Sequence, residues 1–381
     1  MTKPERRRRL AHSNNYMNIF IFEHVCGGAM VDEGLPKELA DQGAAMLGSA
    51  VSEFIEFGAR VLTTLDHRVD FALNADVVKI IETGKSIEPV FDQLVQEADA
   101  ALVIAPECDG ALERYACRLE QLGAVSLGCD RRSIALCADK LAMARHFEAV
   151  GIATPPTVPF LVNEPIETPA VIKPRFGAGC ENTFLWRSVD DFARGPTEGE
   201  WVVQPFVDGT SCSVSLIVSG SSGREATRDH HIGTGTRSPG PAPTESGREH
   251  RKIPLMAGRQ CISQHGQPIR LRYDGGHMPL DAALWDRAMD LSTRAASTVP
   301  GLSGFVGVDL VLAENPNEDV VIEINPRLTV SFVVLRHLAK TNLAELIVQE
   351  IYQDITVILP AFSDEPITFD KVGNWHSVVK S

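Results

Sequence analysis

What the sequence lacks narrows it first. It has no apolar run near the roughly 18 residues that cross a bilayer as a helix, so no membrane partner is expected. Its basic start, Arg6 to Arg9, runs into the polar Ala11-His12-Ser13-Asn14-Asn15-Tyr16, where a secretion signal would carry an apolar core. Its eight cysteines include no Cys-x-x-Cys pair. Without a secretion signal they read as reduced thiols, and the expected location is cytoplasmic. Basic excess is missing too. The net charge of −14 is opposite in sign to the footprint of a general nucleic-acid binder, although a local cluster of Lys and Arg would still serve an anionic nucleotide.

What is present is ordinary in bulk. A chain of 381 residues makes two or three domains at roughly 100–200 residues each. An apolar share of 44% and a charged share of 23% are those of a globular protein.

The informative stretch is Gly307 to Arg327, GVDLVLAENPNEDVVIEINPR. Two Val, Ile and Leu runs flank an Asn-Pro-Asn-Glu turn, which predicts a hairpin. A turn symmetric about Pro316 sets Asp309 across from Glu323 and Gly307 across from Asn325. Alternation then gives one apolar face of Val308, Leu310, Leu312, Val320, Ile322 and Ile324, and puts Asp309, Glu323 and Asn325 on the other. Like charges directly opposed, with Cβ atoms about 4.5–5.5 Å apart, destabilise a pair. A hard cation such as Mg²⁺, which takes carboxylate and carbonyl oxygens and shares its other positions with water and phosphate, removes that cost. Arg327 adds a donor fork for phosphate or carboxylate. Taken alone, the cluster reads equally well as a solvated face.

Upstream, strands and helices alternate: Met17 to Phe22, a helix over 35–57, Arg60 to Leu65, Ala100 to Ala105, a helix over 111–122, and Val125 to Leu127. That order predicts a parallel sheet covered by helices, with ligands at the strand C-terminal ends. Glu23 and Glu107 sit at such ends. Each is a candidate to meet a substrate amine, or else a helix-capping or turn residue. Ser133 to Val150 reads as one long helix, 152–159 as a proline-rich linker, and 220–251 as a mobile insertion without periodicity. His230 and His231 within that insertion read as a solvated pair. Asp274-Gly275-Gly276 reads as a turn, 283–299 and 335–352 as helices, and 356–381 as a tail.

The order Asp139-Lys140, VIKPRFGAG, VVQPFVDG, GVDLVL and EINPR resembles the ATP-grasp superfamily over about 133–345. The pieces are weak singly and strong in that order. The resemblance implies an α/β chain with a Rossmann-like domain (17–132) after a basic arm (1–16). An ATP-grasp fold would follow, with a small subdomain (133–200) and a large one (201–355) clasping ATP. It implies that Lys140 and Lys173 contact ATP phosphates, and that Gly177, Ala178 and Gly179 form a lid. Gln204, Phe206 and Val207 would make an adenine hinge. Asp309, Glu323 and Asn325 would hold Mg²⁺, with Mn²⁺ an alternative, and Arg327 with Lys173 would act on the transferred phosphoryl group. Two departures stand out. Gln204 is followed by Pro205 where the family often has Glu. Ser211 stands where an acid commonly binds ribose, which leaves Asp208 for that role.

A narrower resemblance, carried by FIFEHVCGG, VIAPECDGALE, RYDGGHMP and EINPRLTVS, is to the tyramine–L-glutamate ligase group of methanofuran biosynthesis. It implies small-molecule acid and amine partners and amide formation through an acyl phosphate, and it leaves a homodimer open. Tyr273, Gly275 and Gly276 become substrate-side candidates, with a packed strand aromatic the plainer reading of Tyr273. Two alternatives remain: a ligase of the same fold that is amino acid–amino acid or carboxyphosphate-forming, and a non-catalytic nucleotide-binding regulator.

Overall fold

The computed structural model describes residues 16–161, 166–188, 191, 198–220, 251–352 and 360–378. The 221–250 part of the expected insertion, with His230 and His231, and residues 1–15 of the arm lie outside the described residues. The first sheet starts with β1 (Asn18–Glu23), whose Ile19 to Phe22 side chains are fully buried. An unbroken apolar run suits a strand covered on both faces. It lies between β2 (Arg60–Asp66) and β4 (Ala100–Ile104), and β3 (Val77–Ile81) forms the outer edge beyond β2. All pairings are parallel. The sequence pattern missed β3, whose Val77 to Ile80 residues are only partly covered or exposed. The expected strand at 125–127 reduces to a single bridge between Ala101 and Ser126. Helices α1 (Lys37–Phe57), α2 (Glu88–Glu97) and α3 (Ala111–Leu122) connect the strands. α1 stops where Gly58 takes φ 102 and gives its N–H to the Ile55 carbonyl, while the Ala59 N–H goes to the Phe54 carbonyl, a left-handed cap that glycine adopts without strain.

The expected long helix over 133–150 is two helices, α4 (Arg131–Ala138) and α5 (Lys140–Val150). Asp139 breaks it. With φ −95 and ψ 97 it leaves helical space, and its Oδ1 accepts from the Leu141 and Ala142 N–H groups, so the acid caps α5 instead of continuing α4. The linker passes through β5 (Val158–Pro159) and lies along the hairpin, with Val321 N–H bonded to the Ala153 carbonyl at 2.9 Å.

A second, antiparallel sheet has 11 strands among the described residues. Its path runs β13 (Val320–Asn325), β12 (Gly304–Leu312), β9 (Thr210–Val218), β10 (Lys252–His265), β11 (Ile269–Met278), β7 (Phe184–Trp186), β6 (Ala170–Pro174), β8 (Trp201–Pro205), β5. Asp274-Gly275-Gly276 is therefore strand interior rather than a turn. The two glycines are needed because the neighbouring strands crowd them: a Cβ at Gly275 would fall 2.0 Å from the Phe369 carbonyl oxygen of β14 (Ile367–Asp370), and one at Gly276 would fall 2.3 Å from the Arg259 carbonyl oxygen of β10. The expected tail thus supplies β14 and β15 (Trp375–Ser377) to the sheet.

Helix α6 (Ala282–Ser297) packs on one face of this sheet. The expected helix over 335–352 is also two, α7 (Val330–Leu338) and α8 (Leu343–Tyr352). Buried Glu53 of α1 reaches the break: it accepts from Leu343 N–H at 3.0 Å and from Arg336 Nε at 3.1 Å. That carboxylate caps α8 and ties the first sheet's helix to the second sheet's helices, fixing the cleft between the two sheets.

Candidate active site

The hairpin β12–β13 forms in the expected register, Asp309 against Glu323 and Gly307 against Asn325. One detail differs. A bulge follows Asp309, so Leu310 pairs with Val321 and Ile322 is the extra residue. The core therefore receives Val321, while Ile322 turns to the cleft beside Glu323. A bulge re-aims side chains in this way and sharpens local twist.

Asp309 accepts from Gln260 Nε2 and from Asn325 Nδ2, both at 3.1 Å. Burial first, and then the opposed Glu323 charge, raise its pKa well above the ordinary carboxylate range. Among the described residues no three His, Cys, Asp or Glu side chains gather to hold a metal. The donor set is two carboxylates and the Asn325 amide oxygen, all hard ligands. It fits a cation that keeps positions open for water and phosphate, not a closed cage.

Opposite stand the lysines. Lys173, at the end of β6, is 6% exposed; burial lowers its pKa and the Glu323 charge opposes that. Lys140, the first residue of α5, gives its ammonium to the Gly177 carbonyl at 2.6 Å and lies 3.8 Å from Glu323. The helix break is what aims it. Asp139 also grips Arg175 through Nε at 2.8 Å and Nη2 at 2.6 Å. Burial alone would raise the Asp139 carboxyl, and the Arg175 bonds overcome it, so its pKa stays low. The pair anchors the base of the Gly177-Ala178-Gly179 loop, and Gly179 and Cys180 then take left-handed φ values of 66 and 62.

Arg327 leaves β13 toward the first sheet. Its Nε donates to Glu107 Oε2 at 2.9 Å, and Nη1 donates to the Leu328 carbonyl. This corrects one expectation: Glu107 does not line the cleft, and its buried Oε2 is taken by Arg327. Glu23 does line it, as do Tyr273, Lys140, Lys173, the 177–179 loop, Gln204, Phe206, Val207, Asp208, Asp309, Glu323, Asn325 and Arg327, around 1470 Å³ of space. Gly275 and Gly276 do not, being shut inside the sheet under β14. Tyr273 packs on the core and also lines the cleft.

A sequence model of the pre-ATP-grasp domain matches residues 59–134, and one of the ATP-grasp domain matches residues 137–238 and 244–331. The chain belongs to the ATP-grasp family. A tyramine–L-glutamate ligase of Methanocaldococcus fervens is 26% identical over 87% of this chain and 93% of its own length. Among solved structures, an ATP-grasp superfamily protein from Archaeoglobus fulgidus superposes with TM-score 0.65 at 21% identity, covering 93% of this chain and 92% of its own. An L-amino acid ligase from Bacillus licheniformis gives TM-score 0.62 at 16% identity, covering 93% and 80%.

The Gln204-Pro205 segment is held in place by its surroundings. Gln204 is buried, with its amide donating to Thr157 at 2.7 Å, and Phe206 N–H is bonded to the Pro169 carbonyl at 2.9 Å. These side-chain and main-chain groups hold the segment's shape. Residues that sequence reasoning missed are Gln260 and Ser213 around Asp309, Arg175, and Ile322. A capping Asp before Lys140 was a readable signal for Asp139. Nothing local marks Gln260, which reaches Asp309 only through the pairing of three strands.

Proposed function

We propose that this ATP-grasp enzyme joins a carboxylic acid to an amine using ATP, through an acyl phosphate, and that glutamate and tyramine are the pair to try first. The observation that carries the reading is the Asp309–Glu323 pair set across a hairpin, facing two lysines and Arg327 over one cleft. Asp309, Glu323 and the Asn325 oxygen would hold Mg²⁺ or Mn²⁺. That ion would supply charge neutralisation for the phosphates. Lys140 and Lys173 offset phosphate charge, and Arg327, braced by Glu107, meets the group being transferred. Phosphoryl transfer asks mainly for positioning and charge stabilisation, which is what these residues offer. The 177–179 loop, docked by the Lys140 ammonium, covers the phosphates and keeps water from the acyl phosphate. Val207 and Asp208 face the nucleoside, with Asp208 the candidate for ribose, and Tyr273 stands on the substrate side.

The same reading makes both partners small molecules in the cytoplasm, with neither nucleic acid nor membrane involved. The purified protein with ATP, Mg²⁺, L-glutamate and tyramine should release ADP and phosphate and form an amide detectable by mass spectrometry. A panel of other amines and amino acids, followed by ADP release, separates an amino acid ligase. Tight ATP binding with no ADP from any pair would defeat the ligase reading in favour of a regulator.

A further inference from the structure

We infer that Glu23 is the proton acceptor for the incoming amine, and that the amine is a primary alkylamine that enters as its ammonium. This rests on the ligase reading above and adds the step which that reading leaves without a base. The acyl phosphate is attacked only by a neutral amine, yet an alkylamine is protonated at neutral pH. A carboxylate must therefore be present that neither the metal nor an arginine has taken.

Of the other carboxylates that line the cleft, Asp309 and Glu323 belong to the proposed metal, and Asp92 is paired with Arg118. Glu33, Glu38, Glu88, Asp109, Glu181 and Asp208 are exposed to solvent. Glu23 is different. It ends β1, a central strand of the first sheet, is 2% exposed, and still lines the cleft. Its Oε2 accepts the Cys26 N–H at 2.5 Å, which fixes the side chain from its own turn. Helix α1 closes over it at Gly43, where a Cβ would stand 2.6 Å from Oε2 and 3.0 Å from Oε1. Only a residue without a side chain lets that helix shield the carboxyl from water. Arg327 acts on Glu23 through charge alone and gives its hydrogen bonds to Glu107 and Leu328. Beside Glu23 the cleft wall is His24 and Tyr115, whose rings lie 5.9 Å apart.

The surrounding charges agree. Burial raises Glu23 to about 7 against the Cys26 and Val25 N–H groups and the Arg327 charge, which lower it. A base poised near the working pH transfers protons most effectively. Burial and the Glu23 charge push the Cys26 thiol far up, with Asp66 and Asp41 adding to it, so it stays neutral. Burial, then Arg114, takes His24 down to about 4, and burial raises the Tyr115 hydroxyl. Neither neighbour competes for the proton near pH 7.

The step balances. The ammonium gives one proton to the Glu23 carboxylate, and the freed nitrogen lone pair attacks the acyl carbon. A C–N bond forms, the bond from that carbon to the phosphate oxygen breaks, and phosphate leaves with the electron pair. The nitrogen's surplus proton leaves with phosphate or to solvent.

The test separates this step from the one before it. Hydroxylamine is largely uncharged at neutral pH and traps an acyl phosphate as a hydroxamate without needing a base. With ATP, Mg²⁺ and L-glutamate, amide formation from saturating tyramine and hydroxamate formation from hydroxylamine are measured for wild type and Glu23→Gln. General-base catalysis contributes about 10²–10⁴, so the amide-to-hydroxamate ratio should fall about 100-fold or more in the variant. In wild type, kcat for the amide should rise with pH through the region of 7, and the hydroxamate rate should not. An unchanged ratio in Glu23→Gln overturns the assignment. So does an equal pH rise in both wild-type rates, a result that needs no variant to fold. A wild type that makes neither product overturns L-glutamate with tyramine as the pair, and the assignment with it.

Discussion

Glu107→Ala is the sharpest structural perturbation. Glu107 and Arg327 are 6% and 13% exposed at their side chains, and one carboxylate oxygen takes the guanidinium from Nε and Nη2, both at 2.9 Å. Truncation leaves a buried guanidinium with the Leu328 carbonyl at 3.1 Å as its remaining hydrogen bond among the described residues. Breaking a buried ion pair from one side costs about 3–5 kcal/mol, because the surviving charge is uncompensated. Glu107→Gln should cost less, since an amide oxygen can still accept from Nε. Urea denaturation of the three proteins at one pH gives the differences directly. The same variants should lose kcat for ADP release while KM for ATP stays near wild type, because Arg327 is misaimed but the lysines are untouched. A Glu107→Ala protein within 1 kcal/mol of wild type, with normal kcat, would refute the claim that this ion pair positions Arg327.

Other outcomes follow from the same geometry. Asp139→Ala removes the α5 cap, about 1 kcal/mol, and the charge-assisted Arg175 bonds, about 1.5–3 kcal/mol; urea denaturation should show a loss near that total and ADP-release kinetics a raised KM for ATP, and a loss below 1 kcal/mol would count against the brace. Lys173→Met should drop ADP release at least 100-fold yet leave the melting temperature equal or higher, since a buried ammonium gives way to an apolar chain of similar length; a lowered melting temperature with activity retained would reverse that. Glu23 in the folded protein titrates about 7 against an ordinary 4.5, so the folded state holds that proton more tightly than the unfolded one. Its contribution is neutral below about 4.5 and becomes destabilising as pH rises to about 7. The stability of Glu23→Gln relative to wild type should therefore grow by about 3 kcal/mol across that window, and a flat difference in paired denaturation curves would contradict it.

The hairpin was legible because its turn centres on a proline and its strands are short, so counting outward from Pro316 sets the Asp309–Glu323 register. The bulge at Ile322 was not. Alternation cannot register one extra residue, and the sequence moves Ile322 to the wrong face. Both long helices read as continuous because helix formers run through them. Their breaks come from polar groups capping a following helix, Asp139 from within and Glu53 from another part of the chain. The pair Gly275-Gly276 looked like a turn because glycine marks both turns and close strand packing. Only the return of residues 367–370 to that edge decides between them. Glu23 and Glu107 looked equivalent at adjacent strand ends, and a contact 220 residues away separates them.

The central claim is that Asp309, Glu323 and Asn325 hold the metal that carries the nucleotide. Calorimetric titration of ADP, with and without Mg²⁺, into wild type, Asp309→Ala and Glu323→Ala tests it most directly. Wild type should bind ADP at least tenfold more tightly with Mg²⁺, whereas each variant should keep its metal-free affinity and lose the gain. Variants that respond to Mg²⁺ as wild type does would place the metal elsewhere.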